Sequence, residues 1–202
     1  MRILTRLAFV AALLPASALA EEPAAAPSPS PAPAAAAPLP GDHVGRLDAL
    51  FARLKKEADP ALALVIANQI QAEWLQSGSA TTDLLMQRAA QAVANKSTAA
   101  ALDLLDQAIV LQPDFPEAWN RRATVHYAED RYGLAIADVE ETLRREPRQF
   151  ASLMGLAAMQ EEFGRDRQAL ATYRRVLDIY PALKDAQDAV LKLSDALAGD
   201  PA

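Results

Sequence analysis

The 202-residue sequence predicts an all-α chain built as a stack of helix–turn–helix units, on three observations. Three columns of identical residues recur at a spacing of 34: Ala89, Ala123 and Ala157; Ala101, Ala135 and Ala169; Pro113, Pro147 and Pro181. From Asp42 onward apolar residues follow a helical period, and no β-branched run alternates apolar with polar long enough to make a strand. Each pair of Ala columns flanks a short turn: Asn95-Lys96-Ser97, Glu129-Asp130-Arg131 and Phe163-Gly164-Arg165.

The elements can be justified in chain order. Arg2 and Arg6 precede an apolar run over 7–14, Pro15 breaks it, and Ala18-Leu19-Ala20 supplies a small-x-small cleavage pattern. Residues 1–20 are therefore expected to be a signal peptide cleaved after Ala20, with an uncleaved inner-membrane anchor as the alternative. The run falls short of the roughly 20 residues a spanning helix needs, so no stable membrane span is expected after cleavage. The expected compartment is a bacterial periplasm. Lipid attachment at the junction is excluded because the chain has no Cys.

Residues 21–42 hold Pro23, Pro27, Pro29, Pro31, Pro33, Pro38 and Pro40, half of the 14 prolines, set mostly among Ala. Such a segment has little to bury and cannot form regular helix. A disordered, extended spacer is expected, able to reach roughly 60 Å at about 3.1 Å per residue.

Residues 43–81 read as a helix pair around Asp59-Pro60, with Pro60 suited to a first helical turn. Leu47, Leu50, Phe51 and Leu54 fall on one helical face. The pair does not keep the 34-residue columns and is read as a degenerate or capping repeat. Ser77-Gly78-Ser79 ends it, and Thr82 or Asp83 is expected to cap the next helix.

Three units follow over 82–115, 116–149 and 150–183. Their Ala columns place a methyl where two helices must approach closely. The Pro column stops the second helix, because the ring lacks a donor and disfavours helix in the preceding residue. The last segment, 184–198, carries Ala186, Val190, Leu193 and Leu197 on one face and Lys184, Asp188, Lys192 and Asp195 largely elsewhere. It suits a C-terminal capping helix, which a stack needs to keep its last apolar face dry.

These columns, with Trp119-Asn120-Arg121-Arg122-Ala123 followed by Tyr132, Ala135, Val139 and Pro147, resemble the tetratricopeptide repeat (TPR) family of secreted bacterial proteins. Leu153, Leu156, Gly164 and Tyr173 in the next unit, and Leu85, Leu105 and Ala108 in the preceding one, extend the likeness over half the chain. The resemblance implies a right-handed α-solenoid and a non-catalytic protein-interaction role. The chain departs from the family pattern at Arg88 and Arg122, where Leu is expected; each must reach solvent or pair with an acid, since an unpaired buried Arg is expensive.

Composition narrows the function classes. The formal charge of −6 argues against a nucleic-acid partner, which needs clustered positive charge. Without Cys, and with only His43 and His126, thiol chemistry and His-rich metal centres have no material. No phosphate loop, nucleophile elbow or zinc motif is present, so no enzyme, cofactor or metal site is expected. His126 stands where the family packs an aromatic, and Asp138, Glu140 and Glu141 read as a solvated face.

In the family, first helices line a concave groove. Projected here, Asn120, Thr124 and Tyr127 face it, opposite the packed Trp119, Ala123 and His126. Met86, Ala90 and Val93 precede them, and Met154, Ala158 and Glu161 follow. The expected partner-binding set is Met86, Asn120, Arg121, Thr124, Tyr127, Met154 and Glu161: pliable Met side chains around a polar centre for a peptide or protein segment. The basic clamp for C-terminal carboxylates is not reproduced, and Asn120 and Arg121 are its only remnants. Alternatives are a groove filled by the chain's own N-terminal helix pair or left empty, and an envelope-complex part that uses its convex face.

Overall fold

The computed structural model describes residues 43–199; the expected leader over 1–20 and spacer over 21–42 lie outside the described residues. Within them the order is α1 (His43–Leu54), α2 (Pro60–Trp74), α3 (Ala80–Ala94), α4 (Thr98–Leu111), α5 (Pro116–Ala128), α6 (Tyr132–Arg145), α7 (Phe150–Glu162), α8 (Asp166–Ile179) and α9 (Lys184–Ala198), with no strand among the described residues. The fold is an all-α solenoid, its three regular units being α3–α4, α5–α6 and α7–α8. Among the described residues, no helix is long and apolar enough to cross a membrane.

The small-residue columns have a direct structural meaning. Ala101, Ala135 and Ala169 are completely buried, and Ala89, Ala123 and Ala157 are at most 4% exposed, so each pair of helices touches through methyl groups. Pro113, Pro147 and Pro181 follow the C-caps Gln112, Glu146 and Tyr180, where a ring without an N–H can no longer break a helical bond. Asp59 caps α2, its carboxylate accepting from the Ala61 and Leu62 amides. The cap of α3 is Ser79 rather than Thr82 or Asp83. Thr82 is buried beneath the helix, and Asp83 reaches back to accept from the Ser77 amide and hydroxyl.

The turns inside the units repeat as faithfully as the columns. Lys96, Asp130 and Gly164, each 34 residues from the next, all adopt positive φ, at 57°, 58° and 67°. In each case the following amide closes a bond five residues back: Ser97 to Ala92, Arg131 to His126, and Arg165 to Gln160, at 2.8–2.9 Å. Only Gly adopts this conformation without a Cβ penalty. Lys96→Gly and Asp130→Gly are therefore expected to gain about 0.5–1 kcal/mol each, and Gly164→Ala to lose about 1 kcal/mol. A Cβ at Gly164 would meet no atom within 4 Å, so that loss is pure backbone strain. Urea midpoints moving in the same direction for all three would contradict this account.

The N-terminal pair α1–α2 does not continue the stack. Its buried residues Leu47, Leu50, Phe51, Leu54, Ile66, Ile70 and Trp74 share one core with α7, α8 and α9. Phe51, Trp74, Phe150 and Tyr180 form a chain of rings with centroids 5.8, 5.2 and 5.6 Å apart in that order. The pair thus folds back on the third unit, about a hundred residues away in sequence. The two ends of the described residues also differ in finish. At the far end α9 buries Ala186 and Leu193 and exposes Lys184, Asp188, Lys192 and Asp195. By contrast, α2 leaves Leu62, Leu64 and Val65 more than half exposed.

Candidate functional site

Helices α5 and α7 stand side by side and carry most of the residues expected to face a partner. Their polar side chains are joined across the gap. Ser152 donates to the Asn120 side-chain oxygen at 2.7 Å, Gln149 donates to Glu117 at 3.1 Å, and the Tyr127 hydroxyl donates to Glu162 at 2.7 Å. Thr124 turns its hydroxyl back onto the Asn120 carbonyl at 3.0 Å, a bond within its own helix. Along the whole length of the face, side chains that sequence alone leaves free are already ordered.

Glu117 organises the N-terminal end of this face. It accepts from Asn120, from Gln149 and from the Arg121 guanidinium, the last at 3.0 Å. Burial raises its pKa above the ordinary carboxylate value, against the lowering pull of Arg121 and of its hydrogen-bond donors. Asn120 and Arg121, the two candidates for holding an anionic ligand, therefore already hold a carboxylate from their own helix. An incoming acid would have to compete with one covalently placed beside them.

At the C-terminal end the face is acidic. Glu161 accepts from the Tyr173 hydroxyl at 2.9 Å and from Lys192 of α9 at 2.8 Å, and Glu162 is exposed beside it. The Tyr127 phenol is pushed up to about 12, by burial first and by its bond to Glu162 second, so it remains a donor throughout the physiological range. Met154 lies half-buried against the core that α7 shares with α1–α2.

Met86 does not belong to this surface. It is 4% exposed and packs with Leu105, Ile109, Phe115 and Val125 in the core of the first unit. Asn120 and Met154 share its register, three residues before the Ala column, and what differs is the packing: the apolar Met86 side chain enters the cluster of Leu105, Ile109, Phe115 and Val125. The set that the structure brings together is Asn120, Arg121, Thr124, Tyr127, Met154 and Glu161, joined by Glu117, Gln149, Ser152 and Glu162. Those last four were not singled out from the sequence, because polar residues in a first turn or a last turn read as caps and solvated ends.

A second polar centre lies between α4, α5 and α6. Arg122 holds Asp138 through two bonds of 2.8 and 2.7 Å and Asp106 through one of 2.7 Å. Its guanidinium also stacks on Trp119 at 4.9 Å, with Arg145 on the same ring at 4.7 Å. These acids hold the Arg122 guanidinium more firmly protonated than usual, the Asp138 hydrogen bonds contributing most. Arg88, one unit earlier, is exposed instead. The position equivalent to Asp138 is there Leu104, which offers no charge. Arg122 and His126 also line an open cleft of about 640 Å³ together with Leu102, Asp103, Glu129 and Arg131.

His126 is buried in this centre, with its Nε2 3.8 Å from Asp138. Burial lowers its pKa below about 6.5, with Asp138 opposing and Arg122 and Arg131 assisting. The folded state therefore favours the neutral ring. Its contribution is complete above pH 6.5 and is lost as pH falls through the lowered folded value. The melting-temperature advantage of the wild type over His126→Phe is expected to shrink from pH 7.5 to pH 5. An advantage independent of pH would refute the assignment.

Three comparisons bear on this geometry. Residues 87–142 and 130–184 match the family model described as tetratricopeptide repeat. A TPR repeat-containing protein of Rhizobium etli is 49% identical over 155 residues, which cover 77% of this chain and 76% of that one. Among solved structures, the first TPR of Spaghetti (RPAP3) bound to the HSP90 peptide SRMEEVD superposes with a TM-score of 0.55 at 18% identity, covering 59% of this chain and 94% of that one. MamA superposes with a TM-score of 0.53 at 13% identity, covering 77% and 83%. At these identities the structural likenesses speak to the fold alone.

Proposed function

This chain belongs to the tetratricopeptide repeat family, and from that premise we propose that it is a non-catalytic protein-interaction module that presents the α5–α7 face to a neutral or basic protein segment. The carrying observation is the charge and order of that face. Arg121 is committed to Glu117 and Glu161 to Lys192, while Glu162, bonded among the described residues only by the neutral Tyr127 hydroxyl, gives the opposite end an acidic rim. Side chains already fixed by bonds between helices lose less freedom on binding, which favours affinity. An acidic tail such as the one carried by the peptide of the RPAP3 structure would meet like charge here.

The proposed compartment is the bacterial periplasm, supported by the leader pattern of Arg2, Arg6, the apolar run over 7–14 and Ala18-Leu19-Ala20, with the Pro/Ala-rich segment as a stalk. In the test, the full chain and its Glu162→Lys and Tyr127→Ala variants are screened against a synthetic peptide library graded in charge. Neutral and basic peptides are expected to dominate the wild-type binders and to lose at least tenfold in affinity with Glu162→Lys, while melting curves stay close to the wild type. Preferential retention of acidic peptides, or equal retention by all three proteins, would remove the groove from consideration.

A further inference from the structure

The junction of the second and third units carries a receptor-like cluster that the other unit ends lack. Glu146 grips Arg148 through both carboxylate oxygens at 2.9 and 3.0 Å, which fixes the guanidinium and leaves its outer edge and one ring-sized face free for another group. Phe150 and Tyr180 form an aromatic wall beside it. The positions equivalent to Arg148 in the neighbouring units are Asp114 and Ala182, and those equivalent to Phe150 are Pro116 and Lys184. The repeat architecture does not require this cluster, since the other two unit ends stand without it.

What fills it is α1–α2. Asp48 takes the free edge of Arg148 at 2.6 Å, Phe51 lies under its guanidinium at 4.3 Å, and Trp74 meets Phe150. The fit leaves buried polar atoms without a partner, as α5 also does at His126 Nδ1. Two of the buried polar atoms without a partner are Gln69 Oε1 and Trp74 Nε1, both on α2, and a third is Gln112 Oε1, on the residue whose amide holds the Ser77 carbonyl in the connection to α3. A buried polar atom left unpaired keeps its desolvation penalty, and release of α2 would return it to water. The Asp48–Arg148 pair is substantially exposed and hence weak. The connection to α3 turns through Gly78 at φ 77°, with Ser77 before it tied to Asp83 and Gln112, so a departing α1–α2 would hinge ahead of Ser77.

We propose that Glu146, Arg148, Phe150 and Tyr180 form a binding site for an amphipathic helix bearing an acid three residues before an aromatic, and that α1–α2 is its resident, displaceable occupant. The site recognises the acid by the held guanidinium and the aromatic by stacking beneath it, as Asp48 and Phe51 now show. It lies at the N-terminal end of α7, next to Gln149 and Ser152 of the α5–α7 face and away from Glu161 and Glu162, and its test reads Asp48 and Arg148 rather than Glu162.

The test uses the full chain and a fluorescent synthetic peptide of residues 43–57. In hydrogen–deuterium exchange, wild-type amides of α1–α2 are expected to exchange at least tenfold faster than those of α5–α8. An Asp48→Arg/Phe51→Ala chain, whose own occupant is released, is expected to bind the peptide at least tenfold more tightly than the wild type does. Adding Arg148→Glu, or using a peptide with Asp48→Arg, is expected to abolish that gain. Equal protection of α1–α2 and α5–α8 in the wild type would overturn the proposal even if the released variant failed to fold. So would a released chain that binds no better than the wild type, or binds equally well without Arg148.

Discussion

Arg122→Leu is expected to destabilise the chain by about 3 kcal/mol, because it leaves Asp138, 5% exposed, charged and unpaired between helices. The size of the effect comes from stranding the acid rather than from losing the pair. Arg122→Leu with Asp138→Thr should therefore recover to within about 1 kcal/mol of the wild type, since a well-matched neutral pair can replace a buried ion pair at little cost. The chain contains that replacement: one unit later the same two positions are Leu156 and Thr172. Asp106 needs no compensation because it faces solvent. A double-mutant cycle by chemical denaturation measures the coupling, and strictly additive losses would show that Arg122 and Asp138 do not act as a unit.

Phe150→Ala should cost about 3–4 kcal/mol by removing a buried ring that touches both Trp74 and Tyr180. The loss should fall mainly on the docking of α1–α2. Trp74 fluorescence is then expected to shift to the red at denaturant concentrations where α3–α8 remain helical. Trp119, between Arg122 and Arg145, should report only the main transition. A single transition seen alike by both tryptophans would mean that α1–α2 and the repeats unfold together.

The columns that predict the repeats are those whose residue type is dictated by geometry. Ala101, Ala135 and Ala169 sit at helix contacts with no room for more than a methyl, so the 34-residue period survives in the sequence and the all-α solenoid can be read from it. The positive-φ positions repeat just as exactly, yet Lys96 and Asp130 conceal them, because a tolerated strain of about 1 kcal/mol leaves no required residue. Met86 shows the limit of projecting a face by spacing: it is buried alongside Ala89, although Val93 of the same stripe is exposed.

A return of α1–α2 onto the repeats is open from the sequence only as an alternative occupant of the groove, and its docking on α7 is not legible there, since Asp48 and Arg148 are a hundred residues apart and nothing periodic links them. The bonds across the α5–α7 face were hidden for a similar reason. Asn120 with Ser152, and Tyr127 with Glu162, are ordinary polar residues individually and become a bonded surface only when two units stack.

The most direct test of the protein-interaction role is a photo-reactive amino acid placed at Thr124, on the α5–α7 face, compared with one at Ala137, on the exposed side of α6. Incorporated into the full chain in its native cells, the Thr124 probe is expected to yield a covalent adduct with a defined second protein, and Glu162→Lys is expected to abolish it. An adduct formed only from Ala137, or from Thr124 regardless of Glu162→Lys, would contradict the account.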